Sequence, residues 1–375
     1  MHGQWLGTIE GEYQGTIRLE LENRGDGLYG HAFVFYLLEY GLPGFSFQLR
    51  LPKVAPFVAQ TETTYLYSTG GIMSRDERLD CEEKLIEKFG ELPLPATINA
   101  EFTFDDSNLT INWSAPDQEA QSINLVRSEI KDASALVART DITSWDQFRQ
   151  WAILQKPRAH IFRGQCLPTK LTSTFHRTWR KDLSTWVLND VRMLFGSLIE
   201  KVSYPLQLGN LEHNAAVWSI LQHHGYPTPM IDWTYSPFVA AYFAFQNAEV
   251  GQHDCPRIFI LDQAAWNEKY GRQAFIVDLA PPQLIVLESL AIGNPRTGPQ
   301  QALSTVTNLA DVEAFIRARE QEDARSYLTV CDLPAHEKPN IMRELELMGI
   351  TYGSLFPGLD VICRDMKERL FAPLI

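Results

Sequence analysis

Cysteine pairs and long apolar runs are the features that this sequence lacks. The five cysteines are scattered and include no CxxC pair, so neither a zinc site nor a disulfide framework is predicted. No run approaches the roughly 20 apolar residues that a membrane helix needs. The N-terminus has no basic start before an apolar block, so we expect no signal peptide. These absences predict a cytoplasmic protein that does not contact a membrane.

The chain instead has the composition of a globular protein, with 45% hydrophobic and 21% charged residues over 375 positions, enough for two domains. Its net charge of −13 is unevenly spread. Residues 1–143 contain 11 basic and 22 acidic residues, whereas residues 156–201 contain nine basic and three acidic ones. Two interpretations of this basic segment stay open: a solvated helix face, or a local anion site for a pyrophosphate or a nucleic-acid backbone.

The N-terminal part has the pattern of closely spaced β-strands. In residues 16–22 apolar and charged residues alternate, which is the period of a half-buried strand. Further strands are predicted at Leu28–Tyr36, Phe45–Leu51, Thr63–Ser68, Ala96–Phe104 and Leu109–Trp113, with one helix at Ser74–Phe89. Short strands joined by Gly-rich turns predict a small barrel or sandwich over residues 1–130, with no recognisable chemistry.

A linker is predicted within residues 114–143, after which the pattern changes to α+β. Ser144 is a plausible N-cap for the first helix. Helices are predicted at Leu183–Val202, Asn214–His224, Pro237–Gln246, Asp311–Leu328 and Ile341–Met348, and strands at Ile258–Asp262, Ala274–Val277 and Leu284–Leu287. Because helices and strands interleave without regular βαβ units, residues 144–375 are predicted to form an α+β domain.

The first cluster with chemical potential lies in His160–Gln165, where two apolar residues lead into Arg163 and Gly164. An arginine at the end of a buried strand is costly unless it is paired, so a structural ion pair is one interpretation. The other is a ligand clamp, because a guanidinium forks well onto phosphate or ribose oxygens. Gly164 would then allow a ligand to approach the backbone.

The second cluster ends in an Asp-Trp-Thr-Tyr-Ser-Pro segment that leads into an apolar helix. In an extended chain Asp232, Thr234 and Ser236 point to one face. At a helix N-terminus these three polar groups would suit an anion or a sugar. The alternative is that Ser236 caps the helix and Asp232 occupies a turn. His224 is similarly either a turn histidine or a base. A third segment, residues 294–301, has the composition of a loop.

Together these clusters resemble the FRG domain family. The residues Phe162-Arg163-Gly164 form the motif from which the family takes its name. Gln222–Ala244 resembles the long central signature of the family, and Leu345–Lys367 resembles its closing segment. The resemblance covers residues 144–375 and leaves out the β-rich N-terminal part.

The third family segment is matched less well. Arg296 and Gln300 resemble what remains of it, but Thr297 stands where the family usually has Ile, and Ala302 where it usually has Gly.

FRG domains in turn resemble ADP-ribosyltransferases, which carry an Arg-Gly or His-Gly on a first strand, a Ser/Thr-rich strand leading into a helix, and a later Glu or Gln. The same order is found here in Arg163-Gly164, Thr234-Tyr235-Ser236 and Gln300. The resemblance therefore implies an ADP-ribosyltransferase-like fold and NAD as the cosubstrate.

Roles for the site residues follow from this resemblance. Arg163 would hold the pyrophosphate, Thr234 and Ser236 would orient the ribose or support Arg163, and Gln300 would accept from the ribose 2′-OH. Because glutamine lacks the charge of glutamate, Asp232 is a candidate for the missing negative charge. The predicted catalytic residues are Arg163, Asp232, His224 and Gln300, with His223 as the alternative base, and the predicted NAD-binding residues are Arg163, Gly164, Thr234, Ser236 and Tyr242.

Three functional hypotheses stay open. The first is transfer of ADP-ribose from NAD to a macromolecule, either a protein or a single-stranded RNA or DNA, by a bacterial toxin or antiviral defence effector. The second is hydrolysis of NAD, and the third is a non-catalytic binding module, which the glutamine at position 300 favours. The N-terminal domain is expected to bind a partner such as an antitoxin or a viral trigger.

Overall fold

The structure is a computed structural model of the chain, and it contains two antiparallel sheets of nine and six strands. It describes residues 1–68, 71–72, 81–87, 97–115, 120–128, 133–202, 204–208, 210–249, 255–271, 277–288, 292 and 294–358, with helical positions at 363, 366, 370 and 371. Of the predicted helix Ser74–Phe89, residues 81–87 are helical and the rest lies outside the described residues.

The N-terminal sheet forms a barrel rather than a sandwich. Its strands are β1 (Gly3–Ile9), β2 (Gly15–Asn23), β3 (Leu28–Tyr36), β4 (Gly44–Leu51), β5 (Phe57–Ser68), β6 (Gly71–Ile72), β7 (Thr97–Phe104), β8 (Asn108–Ser114) and β9 (Gln121–Arg127). They are ordered β4-β3-β2-β1-β9-β8-β7-β5-β6, and the sheet closes because β5 also pairs with β4. Apolar side chains such as Trp5, Leu19 and Phe47 fill the interior.

Strand β9 lies within the segment that the sequence predicts to contain the linker. It pairs antiparallel with β8 over residues 121–126, and at Arg127 and Val126 it pairs with β1. Residues 121–127 therefore complete the barrel, because without them β1 and β8 would be left with open edges. The residues of this strand are mostly exposed or half-buried. Its composition is therefore as polar as that of a linker, and the strand was not predicted.

The charged face of β2 is buried, although its alternating pattern is typical of a strand with one face in water. Arg18, Glu20 and Glu22 have no exposed side-chain surface, because this face packs against the C-terminal part of the chain. Glu20 accepts a hydrogen bond from the backbone N–H of Leu183 at 3.0 Å, and Arg18 donates to the carbonyl of Ala280 at 2.9 Å. The alternation thus marks a polar interface between the barrel and the C-terminal part of the chain.

The C-terminal sheet has the order β13-β14-β11-β10-β12-β15. Its strands are β10 (His160–Gln165), β11 (Met230–Thr234), β12 (Arg257–Asp262), β13 (Leu284–Leu287), β14 (Ala302–Thr307) and β15 (Leu328–Asp332). Its helices are α1 (Trp145–Ile153), α2 (Thr174–Arg177), α3 (Leu183–Thr185), α4 (Val191–Leu198), α5 (Leu211–His223), α6 (Pro237–Phe245), α7 (Gln263–Tyr270), α8 (Val312–Asp323), α9 (Lys338–Leu347) and α10 (Tyr352–Leu355). No described helix is both long and apolar enough to span a bilayer.

Two of the predicted helices are shorter than the periodicity indicates. The segment Leu183–Val202 is divided by a π-helical turn at Trp186–Asp190. The segment Asp311–Leu328 stops being helical at Ala324, which adopts a left-handed φ of 48°, and Leu328 already belongs to β15. Of the predicted strand Ala274–Val277, only Val277 is described, and it lies in a bend.

Candidate functional site

The candidate site is a cleft at the centre of the C-terminal sheet, where β10 and β11 diverge. These strands pair at one position, Phe162 opposite Thr234. In an antiparallel pair the next residues would be Arg163 opposite Trp233, but there the strands have already separated. A cavity of about 540 Å³ lies between them, lined by residues of both strand ends, of β14 and of neighbouring loops. Its size suits a small-molecule ligand.

Arg163 bridges the two strands at the start of this cleft. Its Nη1 donates to the backbone carbonyl of Asp232 at 2.7 Å, while its Nε is buried without a hydrogen-bond partner among the described residues. Burial lowers the pKa of the guanidinium; Asp232 opposes this effect, and Arg177 adds to it. Arginine still stays charged in a protein. Arg163 therefore keeps unused donor capacity beside the cavity.

Two further arginines line the cavity. Arg177, at the end of α2, donates to the carbonyl of Thr172 at 3.2 Å. Arg296 precedes β14, and its guanidinium lies 4.9 Å from the centre of the Phe356 ring. Neither of them, nor Arg163, forms an ion pair with the residues that the structure describes. Three arginines with unused charge make the cavity suitable for an anionic ligand.

Asp232 is the one carboxylate among the described residues of the cavity lining. Its Oδ1 accepts a hydrogen bond from the Nε2 of Gln222, whose Oε1 in turn accepts from the hydroxyl of Thr228. The Asp232 side chain is exposed to the cavity, but the protein around it partly desolvates its carboxyl and raises its pKa, while Arg163 and Gln222 oppose this rise. The cavity thus holds one oriented negative charge among three positive ones.

Gly164 has a packing role that its position in the sequence did not predict. An added Cβ would clash with the carbonyl oxygen of Ala240 and lie 2.6 Å from the backbone nitrogen of Ala244. Both residues belong to α6, which packs against β10. Gly164 lines the cavity, but its missing side chain makes room for this helix and not for a ligand.

The hydroxyl groups of Thr234 and Ser236 form hydrogen bonds within the protein. The Thr234 hydroxyl donates to the carbonyl of Gln300 at 2.7 Å and accepts from the N–H of Ser236 at 3.0 Å. The Ser236 hydroxyl caps α6 by accepting from the N–H of Val239 at 3.2 Å. Thr234 lines the cavity, whereas Ser236 does not. The two residues therefore connect the third segment to the start of α6.

The third segment folds as a compact loop that brings Gln300 into the cavity wall. The N–H of Gln300 donates to the carbonyl of Arg296 at 3.0 Å, and Gln301 adopts a left-handed φ of 45° before β14 begins. The side-chain Nε2 of Gln300 donates to the carbonyl of Leu355 at 3.0 Å. This bond leaves the Oε1 of Gln300 as the acceptor that a ligand could contact.

Of His223, His224 and Tyr242, one residue lines the cavity and two lie outside its lining. His223 lines the cavity, and burial together with Arg296 lowers the pKa of its imidazole. His224 is exposed at the end of α5 and does not line the cavity. Tyr242 is 5% exposed and packs in the core around α6. The structure thus brings together Arg163, Gly164, Asp232, Thr234 and Gln300, and it leaves His224, Ser236 and Tyr242 outside the lining.

Arg177 and Phe356 line the cavity but were not predicted as site residues. Arg177 belongs to the basic segment, but its helix is four residues long and has no periodic pattern that would single it out. Phe356 follows α10, and its ring lies 6.0 Å from that of Phe243, so it closes one wall of the cavity. The Leu-Phe-Pro-Gly sequence of the closing segment was the available signal for this wall.

The basic segment does not form one charged face. Two of its nine basic residues, Arg163 and Arg177, line the cavity. The other seven are bonded elsewhere or exposed. Lys170 pairs with Asp311, Arg180 with Glu22 and Asp190, and Arg158 with Glu288. Lys181 donates to backbone carbonyls, and Lys156, Arg192 and Lys201 are exposed. Of the two interpretations, a local anion site could involve only Arg163 and Arg177 of this segment at the cavity.

Comparison with known families bears on this region. The family model of the FRG domain matches residues 158–253, which include β10, β11 and α6. Residues 158–253 thus match the FRG domain, and they include Arg163, Arg177 and Asp232 of the cavity lining. Arg296, Gln300 and Phe356 complete the lining from outside the matched residues. No curated protein and no solved structure matches the chain.

Proposed function

We propose that the FRG domain at residues 158–253 is the core of an NAD-dependent ADP-ribosyltransferase and that the cavity binds NAD. The observation that carries the proposal is the set of three arginines without ion pairs around one oriented carboxylate. A dinucleotide fits this charge pattern, because its pyrophosphate is a dianion and its nicotinamide ribose becomes cationic during transfer. The orphaned Nε of Arg163 is one donor for such a ligand.

In the proposed reaction the arginines hold the pyrophosphate. Arg163 and Arg177 are close enough for Arg177 to lower the pKa of Arg163, so a dianion between them would relieve their repulsion. A guanidinium can donate two parallel hydrogen bonds to phosphate oxygens. The Oε1 of Gln300 is the acceptor for a ribose hydroxyl.

The transfer step breaks the bond between the ribose C1′ and the nicotinamide nitrogen, and the bonding electrons leave with nicotinamide. Positive charge develops at the ribose, and the carboxylate of Asp232 stabilises it. A nucleophilic oxygen or nitrogen of the acceptor then bonds to C1′ and loses its proton. His223 is the base for this proton, because its lowered pKa keeps the imidazole neutral at neutral pH.

The macromolecule that receives the ADP-ribose is to be identified by experiment. Mass spectrometry of lysate incubated with labelled NAD separates the possibilities. Label on protein or on nucleic acid identifies the acceptor class and supports transfer, whereas free ADP-ribose indicates hydrolysis. NAD binding without any product indicates the non-catalytic module that a glutamine at position 300 would suit. A role as a toxin or defence effector further requires that induction of the active protein stops growth.

Replacing Arg163 tests the binding site directly. Arg163→Ala removes the charged donors at the mouth of the cleft, so we expect the affinity for NAD to fall about 10- to 100-fold. Isothermal titration calorimetry measures this change. Arg192→Ala is the matched control, because Arg192 belongs to the same basic segment but is exposed and lies outside the cavity lining. An unchanged affinity in Arg163→Ala would exclude this arginine from the site.

A further inference from the structure

A chain of hydrogen bonds leads from the protein interior to the one carboxylate in the cavity. Thr228 has no exposed surface, and its hydroxyl donates to the Oε1 of Gln222. The amide nitrogen of Gln222 then donates to the Oδ1 of Asp232. Because an ionised carboxylate only accepts hydrogen bonds, Gln222 must present its NH₂ group to Asp232. Its oxygen must then face Thr228, so the hydroxyl of Thr228 fixes the orientation of the amide.

Thr228 is itself held by the segment that leads to Arg177. Its N–H donates to the hydroxyl of Thr174 at 3.0 Å, and its carbonyl accepts from the N–H of Phe175 at 3.0 Å and from the Thr174 hydroxyl at 3.1 Å. Thr174 begins α2, and Arg177 ends it. One buried residue therefore fixes the position of Asp232 relative to that of Arg177.

We infer that Gln222 and Thr228 are positioning residues, which hold Asp232 ionised and pointed into the cavity for the transfer reaction; this inference rests on the proposed function. Desolvation by the cavity walls works against the ionised form, and the hydrogen bond from Gln222 works for it. The other charged and titratable groups of the lining are Arg163 on β10, Arg177 on α2, His223 on α5 and Arg296 before β14. None of them is hydrogen-bonded to the Asp232 carboxylate among the described residues.

The test compares how Asp232 titrates in variants of the full chain without ligand. The carboxyl carbon of Asp232 is followed by NMR in protein with ¹³C-labelled aspartate, and its signal is assigned from Asp232→Asn. In Gln222→Leu the carboxylate loses its donor, so its protonation should move to higher pH. Thr228→Val should cause a smaller shift in the same direction, and Thr228→Ser, which keeps the hydroxyl, should titrate like the wild type.

Turnover of NAD supplies the second readout. We expect Gln222→Leu to lower turnover about tenfold on the acidic side of the pH profile, because a charge-assisted hydrogen bond is lost. The acidic limb should also move to higher pH, whereas a general packing defect would lower the whole profile without moving it. Gln155→Leu is the control, because the Gln155 amide donates to a helix carbonyl at 2.9 Å outside the cavity.

The outcomes distinguish a failure of the positioning role from a failure of NAD as the substrate. An Asp232 titration that is the same in Gln222→Leu as in the wild type would overturn the positioning role, whether or not NAD is bound. A shifted titration in a protein that neither binds nor cleaves NAD would keep the positioning role and remove the proposed substrate. Should Gln222→Leu not fold, Gln222→Met preserves the length of the side chain without its donor and takes its place.

Discussion

The barrel interface and the cavity both enclose arginines, but the two regions differ in how these arginines are bonded. At the interface Arg18 lies 3.1 Å from the carboxylate of Glu20 and donates to the backbone carbonyl of Ala280 at 2.9 Å. In the cavity Arg163 donates one hydrogen bond, to a backbone carbonyl, and has no carboxylate partner within ion-pair distance among the described residues. Buried charges that serve the fold are paired, because an unpaired one is costly. Arginines that are left without an ionic partner around a cavity indicate a ligand.

The buried face of β2 also restricts which surface of the barrel can bind a partner. The face of β2 that carries Arg18, Glu20 and Glu22 is occupied by the C-terminal part of the chain. A protein partner of the barrel, such as the antitoxin or viral trigger expected from the sequence, would therefore need another face. The segment that β2 holds, residues 181–183, begins four residues after Arg177.

The largest expected effect comes from breaking the interface at Glu22. This carboxylate accepts from the backbone N–H of Lys181 at 2.7 Å and of Asp182 at 2.8 Å, and from the Nε of Arg180 at 3.0 Å. Glu22→Ala leaves the two buried backbone N–H groups without a partner and Arg180 with Asp190 alone, so we expect the free energy of unfolding to fall by about 3–5 kcal/mol. Urea denaturation measures the loss, and Glu10→Ala, at an exposed position of the barrel, is the control.

The same measurement on Arg163→Ala sharpens the contrast between the two regions. Arg163 contributes one hydrogen bond to a carbonyl, so its removal should lower the free energy of unfolding by only about 1 kcal/mol. A loss as large as that of Glu22→Ala would mean that Arg163 is a structural residue like Arg18, and its place beside the cavity would then not indicate a ligand.

Gly164 is the cavity residue for which we expect a structural effect of intermediate size. Gly164→Ala places a methyl group against the carbonyl of Ala240, so α6 must shift, and we expect a loss of about 1–3 kcal/mol. Thermal unfolding measures it. Gly298→Ala is the matched control in the neighbouring loop, because nothing lies within 4 Å of a Cβ added there. Equal stability of the two variants would contradict the packing role of Gly164.

The sequence predicted the strand ends of the site better than it predicted their surroundings. The segments around Arg163 and Asp232 have strong local signals, a strand followed by Arg-Gly and a strand followed by a capped helix, and the structure brings both into one cavity. The burial of the β2 charges could not be predicted. Apolar and charged residues alternate in the same way whether the charged face of a strand meets water or another part of the protein.

Arg177 and strand β9 were missed for a related reason. The helix that carries Arg177 is four residues long, so it shows no period, and its place in the cavity depends on hydrogen bonds to Thr228, which is remote in sequence. Strand β9 is recognised only through its partners β1 and β8. Both features are determined by tertiary contacts, which a local pattern does not contain.

The smallest effect, a change in pH dependence, tests whether the paired charges of the interface are fully ionised. Burial raises the pKa of Glu20 to about 7, although Arg18 opposes this rise. In the unfolded chain a glutamate titrates at about 4.3. Between these values the folded protein binds more protons than the unfolded one, so Glu20 lowers stability as the pH rises through this range.

Glu20→Gln removes this titration and leaves Asp278, whose pKa burial raises to about 6, in both proteins. The stability of the variant relative to the wild type should therefore increase from pH 5 to pH 7.5, as measured by urea denaturation at each pH. Because Asp278 contributes equally to both curves, the difference isolates Glu20. Parallel curves would mean that Arg18 keeps Glu20 ionised throughout, and the interface would then hold a complete ion pair of the kind that the arginines of the cavity lack.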